Sequence, residues 1–567
     1  MKFLFKKEKL GYLFLGTLIC FLLVYLIIVP LCSILITSFN VEDSLTGKTI
    51  LGFDNWASLM ETNNLKAILN SLLLGLLVTL FSTIISLPIS FILSRTRLRK
   101  LWFLDIILMI PFMIPPYINS MGWINFMGDN GILYRLSPVF RPLCENFFSV
   151  YGMAFVMSLH TSPFLMTIMK NAFLNIDQSL TDSLTIFAKS KIKRILKVYI
   201  PLLIPNFSIG AFLVFVKVLA EYGTPSTFQP YTNFEVFSTL ITTKLQVMPI
   251  SFGQASSLAC LLLSICIVIW ALQMLITSKR SYNLISGNPS KVSKNKLVTI
   301  ISSLILFIIF FFSTLIPLYS IFTYSIQKIS YLGFAKGNIT FDNYVNIFKD
   351  EGFGSGLEAI LHSLKISVIS AIFILILGIN FAIYCKRYAK NKIGKTVDFL
   401  SCLPQLIPNI VTGLGFIIFY NTISKYVPIY GTEWMLIIAY SIIFLPNLFT
   451  QVKSSLLQMP KSLIEAGDIY SKHKFMVDLK IILPQGINGA FYGLVMVFII
   501  SIRELVTAKL LAPSGGYYTI STFIDMQYGQ GERGVAMALA VITIIITLVI
   551  LLPLEFLTKS KKQKGRY

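Results

Sequence analysis

Four ionisable side chains stand in stretches that are otherwise apolar. Lys217 and Glu221 are four residues apart and share one face if their stretch is helical, while Arg503 and Glu504 are adjacent in a second such stretch. Charges inside a membrane span are costly and mark either a path for ions or substrate, or a local pair. Two readings are therefore open. Glu221 and Glu504 form an acidic pair that receives a cation near the outer mouth of a pathway, or each pairs locally, with Lys217 and Arg503 respectively. Two acids and two bases are neutral together, so they do not reveal the charge of a cargo. Other familiar chemistries fail on spacing. The triplet Gly-Lys-Thr occurs at 47–49 and 394–396, but a phosphate-binding loop needs a glycine five residues before its second one, and those positions hold Glu42 and Ala389. His160, His362 and His473 are scattered without H-E-x-x-H spacing and are expected to be packing residues. The seven cysteines show no C-x-x-C spacing, which disfavours a zinc site or a disulfide framework. No catalytic residue, metal site or cofactor is expected in the chain itself.

The elements that must position these residues are membrane helices. Of 567 residues, 55% are hydrophobic and 13% charged, with mean hydropathy +0.76, against about 25% charged in a soluble domain. Lys+Arg 48 against Asp+Glu 25 gives +23, yet a nucleic-acid binder would have to hide too much apolar surface, so no nucleic-acid partner is expected. A span needs about 20 apolar residues. Twelve runs qualify: 11–37, 67–94, 101–127, 148–169, 198–220, 249–276, 297–325, 359–385, 397–421, 431–452, 481–502 and 534–556. The first is too long for a signal-peptide core and is expected to remain as an uncleaved helix. Every second loop is rich in Lys and Arg, which predicts both termini in the cytoplasm. Pro115, Pro116 and Pro408 fall inside runs, where proline breaks or kinks a helix beside the pathway.

The chain repeats. Shifted by 283 positions, Pro163 falls on Pro446, Lys170 on Lys453, Pro201 on Pro484, Gly210 on Gly493 and Glu221 on Glu504, without a gap. Upstream, Pro111 and Pro115 match Pro404 and Pro408 at 293, so the first half carries about ten extra residues. The expected organisation is an all-α polytopic protein of two parallel six-helix halves, 1–278 (core helices 66–276) and 297–567 (core helices 359–556), joined by a polar cytoplasmic linker at 279–296.

One loop is more specific than composition. EAGDIYSKHKFMVDLKIILP, from Glu465 to Pro484, resembles the E-A-A-x3-G-x9-I-x-L-P signature of permease subunits of binding-protein-dependent ABC importers. Glu465, Ala466, Ile481, Leu483 and Pro484 match, while Gly467 replaces the second alanine and Ser471 the glycine. A degraded copy keeps the spacing in the first half as Asp182, Ser183, Leu184, Ala188, Val198, Ile200 and Pro201. The stretches Ile114–Leu136 and Arg503–Pro513 are similar to regions of permeases for ferric iron, in which a fused chain of this length is typical; polyamine, thiamine, phosphonate and sulfate permeases share much of the pattern.

The resemblance implies that each loop forms a short helix docking in a groove of an ATPase subunit. It implies two copies of that cytoplasmic ATPase, which carries the ATP and magnesium, one extracytoplasmic binding protein, and a bacterial inner membrane. An acidic start, a small-residue face and a hinge at Pro484 suit such a docking helix. A proton-coupled secondary carrier with two parallel halves is the alternative. The loop SRTRLRK superficially matches its arginine-rich loop but lacks the glycine and aspartate of that pattern, and paired docking loops have no use in it.

Overall fold

The computed structural model describes residues 2–42, 49–177, 199–279, 292, 295–349, 354–471, 473–513 and 517–564. The protein is an all-α polytopic membrane protein. Ten helices among the described residues are long and apolar enough to span a bilayer, and one further pair, Lys392–Leu406 with Asn409–Thr422, is bent by 105° at its break. The count of twelve straight spans is thus corrected at two places. The expected run 101–127 is three short helices, Phe103–Ile107, Ile110–Met113 and Pro116–Met127, and the run 397–421 is the bent pair. Proline is the reason. Pro115 and Pro408 sit at the N-caps of Pro116–Met127 and Asn409–Thr422 with φ −54° and −56° and extended ψ of 135° and 136°. A proline ring pushes the preceding residue out of the helical region, here Ile114 at ψ 131° and Ile407 at ψ 126°, and removes the N–H that would continue the ladder.

Small and hydroxylated residues set the helix packing. Along Thr62–Arg95, Ser82 hydrogen-bonds the Thr161 hydroxyl at 2.9 Å, Ser86 donates to the Ser162 carbonyl at 2.8 Å and Ser90 to the Met166 carbonyl at 2.9 Å. Where lipid tails are as apolar as leucine, close backbone approach and hydroxyl bonds of this kind hold helices together. In the second half the same close approach uses glycine: a Cβ on Gly493 would lie 2.8 Å from the Leu448 backbone.

The compact units are not the contiguous halves 1–278 and 297–567. One unit comprises Met1–Leu59, Lys244–Leu263 and Ile347–Gln530; the other comprises Met60–Thr243, Ser264–Asn346 and Gly531–Tyr567. The chain exchanges its repeat-initiating helices. In the first unit, helix Val29–Ser38 packs on Asn409–Thr422, where a Cβ on Gly415 would stand 3.0 Å from the Pro30 carbonyl oxygen. In the second, helix Ile316–Ser325 packs on Pro116–Met127, where a Cβ on Gly122 would stand 3.0 Å from the Pro317 oxygen. Each of these prolines follows a π-turn, at Val24–Ile28 and Phe311–Leu315, the local widening that lets a proline sit inside a long helix. The chain after each helix is tied back by one asparagine. Asn55 donates to the Ser38 and Asn40 carbonyls at 3.2 and 2.8 Å, and Asn343 to those of Ser325 and Gln327 at 2.9 and 2.8 Å. The packing units therefore cut across the two halves of the sequence.

Candidate functional site

The loop of the second half forms a ten-residue helix, Lys461–Tyr470, with Pro460 at its N-cap and Ser471 at its C-cap. Glu465 is the fifth residue of that helix, so the acidic start expected from the sequence is corrected: no acidic residue lies in the first turn. Ile464 and Gly467 face inward, and a Cβ on Gly467 would lie 2.6 Å from Ile481 Cδ1 and 2.9 Å from Val477 Cγ1. Only a residue without a side chain lets the helix lie this close to the chain that follows. The outward face carries Leu463, Glu465 and Ala466, with Ile469 80% and Tyr470 92% exposed.

The loop returns to the bundle through a distributed bend. Helix Lys474–Val477 runs into a π-turn at Asp478–Ile482, and Leu483 with Pro484 then opens the helix Leu483–Ile502. Two neighbouring cations at the end of helix Gly356–Arg387 hold this loop. Lys386 donates to the Met459 carbonyl at 2.9 Å, just before the Pro460 cap. Arg387 Nη1 bonds both Asp468 oxygens at 2.9 and 2.8 Å, and its Nε and Nη2 reach Asp478 Oδ1 at 2.8 and 2.7 Å. Its Nη2 also reaches the Lys474 carbonyl at 3.3 Å. The guanidinium side chain is 5% exposed. Such planar, charge-assisted contacts fix orientation as well as distance. In the first copy, Asp182, Ser183, Leu184, Ala188 and Val198 lie outside the described residues; Ile200 and Pro201 open the helix Ile200–Ala220.

Both embedded glutamates end a span and cap the next helix. Glu221 follows Ile200–Ala220, and its Oε1 accepts from the Thr224 N–H at 3.3 Å and the Thr224 hydroxyl at 2.5 Å, at the start of helix Gly223–Thr232. Glu504 follows Leu483–Ile502, and its Oε1 accepts from the Thr507 N–H at 3.2 Å and hydroxyl at 3.0 Å, at the start of Val506–Leu511. The backbone carbonyls match as well, accepting from Ser238 at 2.6 Å and Ser521 at 2.5 Å. A carboxylate at a helix N-terminus is stabilised there by the unpaired N–H groups and the dipole.

Local pairing with the neighbouring bases is thus corrected for Glu221. Its Oε2 accepts from His160 Nε2 at 3.0 Å, whereas Lys217 lies over the rings of Phe112 and Phe164, 5.9 and 5.4 Å from their centroids. Glu504 instead accepts from Asn409 Nδ2 at 3.2 Å to each oxygen, directly beside Pro408. Arg503 is the C-cap of Leu483–Ile502.

Sequence reasoning set His160 aside as packing and named neither Asn409 nor Arg387, Asp468 and Asp478. The E-x-x-T spacing, present as Glu221–Thr224 and Glu504–Thr507, was the available signal for the caps. A further signal was the register of Asp105 with Asp398, which pair with Lys170 at 2.5 Å and with Lys453. The second Gly-Lys-Thr lies within the helix Lys392–Cys402, and a Cβ on Gly394 would meet the Tyr388 carbonyl, so its backbone is not arranged as a phosphate cradle.

Residues 374–562 match the family described as binding-protein-dependent transport system inner membrane component. Over 543 residues the chain is 22% identical to a ferric transport system permease protein of Actinobacillus pleuropneumoniae, covering 94% of this chain and 76% of that protein. It is 24% identical over 463 residues to a putative ferric transport system permease protein of Haemophilus influenzae, covering 80% and 70%. A putative 2-aminoethylphosphonate transport system permease protein of Salmonella typhimurium is 24% identical over 260 residues, 46% of this chain and 94% of that protein.

Proposed function

We propose that this chain, whose residues 374–562 match the family of binding-protein-dependent transport system inner membrane components, is the whole transmembrane pathway of an ABC importer in one polypeptide. It takes a small substrate, ferric iron, from an extracytoplasmic binding protein and is driven by two copies of a cytoplasmic ATPase. Both termini and the linker 279–296 face the cytoplasm of a bacterial cell. The observation that carries the reading is the helix Lys461–Tyr470. It keeps its outward face open, with Ile469 and Tyr470 exposed, while its inward face and both flanks are anchored to the bundle. A short amphipathic helix held in this way is a lever for a partner's groove. ATP binding draws the two ATPases together, and the docked helices turn that motion into alternating access through rigid-body movement.

Ferric iron is favoured by the relatives whose alignments run over both halves. The acidic pair Glu221 and Glu504 as a cation-receiving mouth is a separate element of this proposal. The test is co-purification of the full chain with an ABC-type ATPase from the same cell, followed by uptake into vesicles loaded with ATP. Ferric iron should be taken up and 2-aminoethylphosphonate should not; the reverse would reassign the cargo, and failure to retain the ATPase would overturn the importer reading. Purified free of its partner, the chain is expected to hydrolyse no ATP.

A further inference from the structure

Arg387 belongs to one span, Asp478 to another, and Asp468 to the short helix between Pro460 and Ser471. One guanidinium therefore joins the short helix to two spans at once. A push on Lys461–Tyr470 can reach the bundle through its flanking chain, through the close packing of Gly467 on Val477 and Ile481, or through this side chain. The flanking chain contains a π-turn, a weaker ladder than an α-helix. The guanidinium is buried and its contacts to both acids are charge-assisted, with Nη1 shared by the two Asp468 oxygens, which makes them the stiffer route.

The first half does not encode this arrangement. In the 283-residue register the positions of Gly467, Asp468 and Asp478 hold Leu184, Thr185 and Ile195. The arginine itself is kept: helix Thr62–Arg95 ends on Arg95, as Gly356–Arg387 ends on Arg387. Arg95 donates to the Phe173 carbonyl at 3.1 Å, at the end of a neighbouring helix. The two acids that would make it a clamp are absent from the register, and so is the glycine that permits close approach.

We infer that Arg387 is the positioning residue that locks the second docking helix to two spans, so that ATPase movement enters this permease chiefly through its second half. The inference rests on the reading of Lys461–Tyr470 as an ATPase-docking helix. It implies that Arg387→Lys, which keeps the charge but cannot reach both acids with a planar fork, uncouples the chain without undocking the ATPase.

The experiment uses the full chain bound to its ATPase, with spin labels at Leu463 on the docking helix and at Lys390 just beyond the Arg387 span. In the unaltered chain the distance between them should stay single and narrow whether or not ATP is bound, because helix and span move as one body. In Arg387→Lys, and in the milder Asp468→Asn, which leaves Asp478 to neutralise the arginine, ATP should produce a second distance. Iron uptake per ATP hydrolysed should fall at least about fivefold, the low end of a typical coupling between sites. Arg95→Lys should change neither quantity. A single ATP-independent distance in both variants would overturn the inference, as would an equal loss from Arg95→Lys. If the unaltered chain fails to retain the ATPase, the docking reading beneath it falls instead, and the two failures are told apart by that control.

Discussion

At the end of the fifth predicted span Glu221 caps a helix and accepts from His160; at the end of the eleventh, Glu504 caps a helix and accepts from Asn409. The threonine donor and the serine contact are the same, whereas the third side-chain partner differs and the Glu504 carbonyl also accepts from the Tyr440 hydroxyl at 3.4 Å. The cytoplasmic loops differ more deeply, since the second carries glycine and two aspartates where the first has Leu184, Thr185 and Ile195. Duplication has therefore preserved what makes a span end and has let the partner contacts drift. Positions fixed by the backbone's own demand for hydrogen bonds cannot vary without cost. A docking contact made twice is free to weaken in one copy while the other carries the load.

The docking comparison is broken most directly by charge reversal on the exposed face. Glu465→Lys is expected to abolish uptake and to weaken ATPase association about tenfold or more, equivalent to about 1.4 kcal/mol. Its cause is a lost carboxylate in the partner's groove rather than a clash with the helix dipole, because Glu465 lies mid-helix. Asp182→Lys should cost less. Titrating the ATPase onto vesicles of each variant measures both values, and equal losses would erase the proposed inequality of the loops.

Much of this was legible in the chain before any coordinates. The repeat register paired Glu221 with Glu504 and Pro115 with Pro408 because glycine, proline and isolated charges stand out in an apolar background. Spacing also singled out the loop that is proposed to dock. What the sequence could not disclose was which repeat packs with which. Gly122 against Pro317 and Gly415 against Pro30 are tertiary contacts between sequence-distant residues, and nothing local in either glycine announces its partner. His160 was misread for the same reason. A lone histidine in an apolar stretch is packing until a carboxylate 61 positions away is folded onto it. Arg387 carries no local signal of its own, because positive-inside patterning explains any arginine at the end of a span.

The exchanged helices supply the symmetric counterpart. Gly122→Leu and Gly415→Leu each force a side chain onto a backbone carbonyl, which cannot rotate away. Each is expected to cost about 1–3 kcal/mol of stability through overpacking. The two should agree closely because the approach distances do. Thermal unfolding in detergent measures both; a large cost in one half alone would show that the exchange is not equivalent in the two units.

The glutamates should separate the halves by their third partner. Glu221→Gln removes the anion facing His160, whose Nδ1 is already buried without a hydrogen-bond partner among the described residues; the expected cost is about 1–3 kcal/mol. Glu504→Gln keeps an acceptor for Thr507 and faces an amide that can turn round, so about 0.5–1.5 kcal/mol is expected. If both roles are local, the double variant shows the sum of the singles in stability, since the two carboxylates belong to different compact units. A more than additive loss of uptake at limiting substrate and matched abundance would instead favour a shared cation-receiving mouth.

The smallest effect concerns the ion pairs that the repeat also preserves, Lys170–Asp105 and Lys453–Asp398. Each joins a broken segment to a later helix, and each is partly exposed, so a pair contributes only about 0.2–1 kcal/mol and is screened by salt. They should not be equal. Lys453 also stands 5.8 Å from the centroid of the Phe449 ring, whereas the position in register with Phe449 holds Met166. When the acid is removed, Lys453 keeps a favourable contact with that ring, and its side chain is 34% exposed against 19% for Lys170. Asp398→Asn is therefore expected to lower the unfolding temperature less than Asp105→Asn, with the difference shrinking as ionic strength rises. Adding Phe449→Leu to Asp398→Asn should remove the difference. If it persists in that double variant, the ring is not what protects the second half.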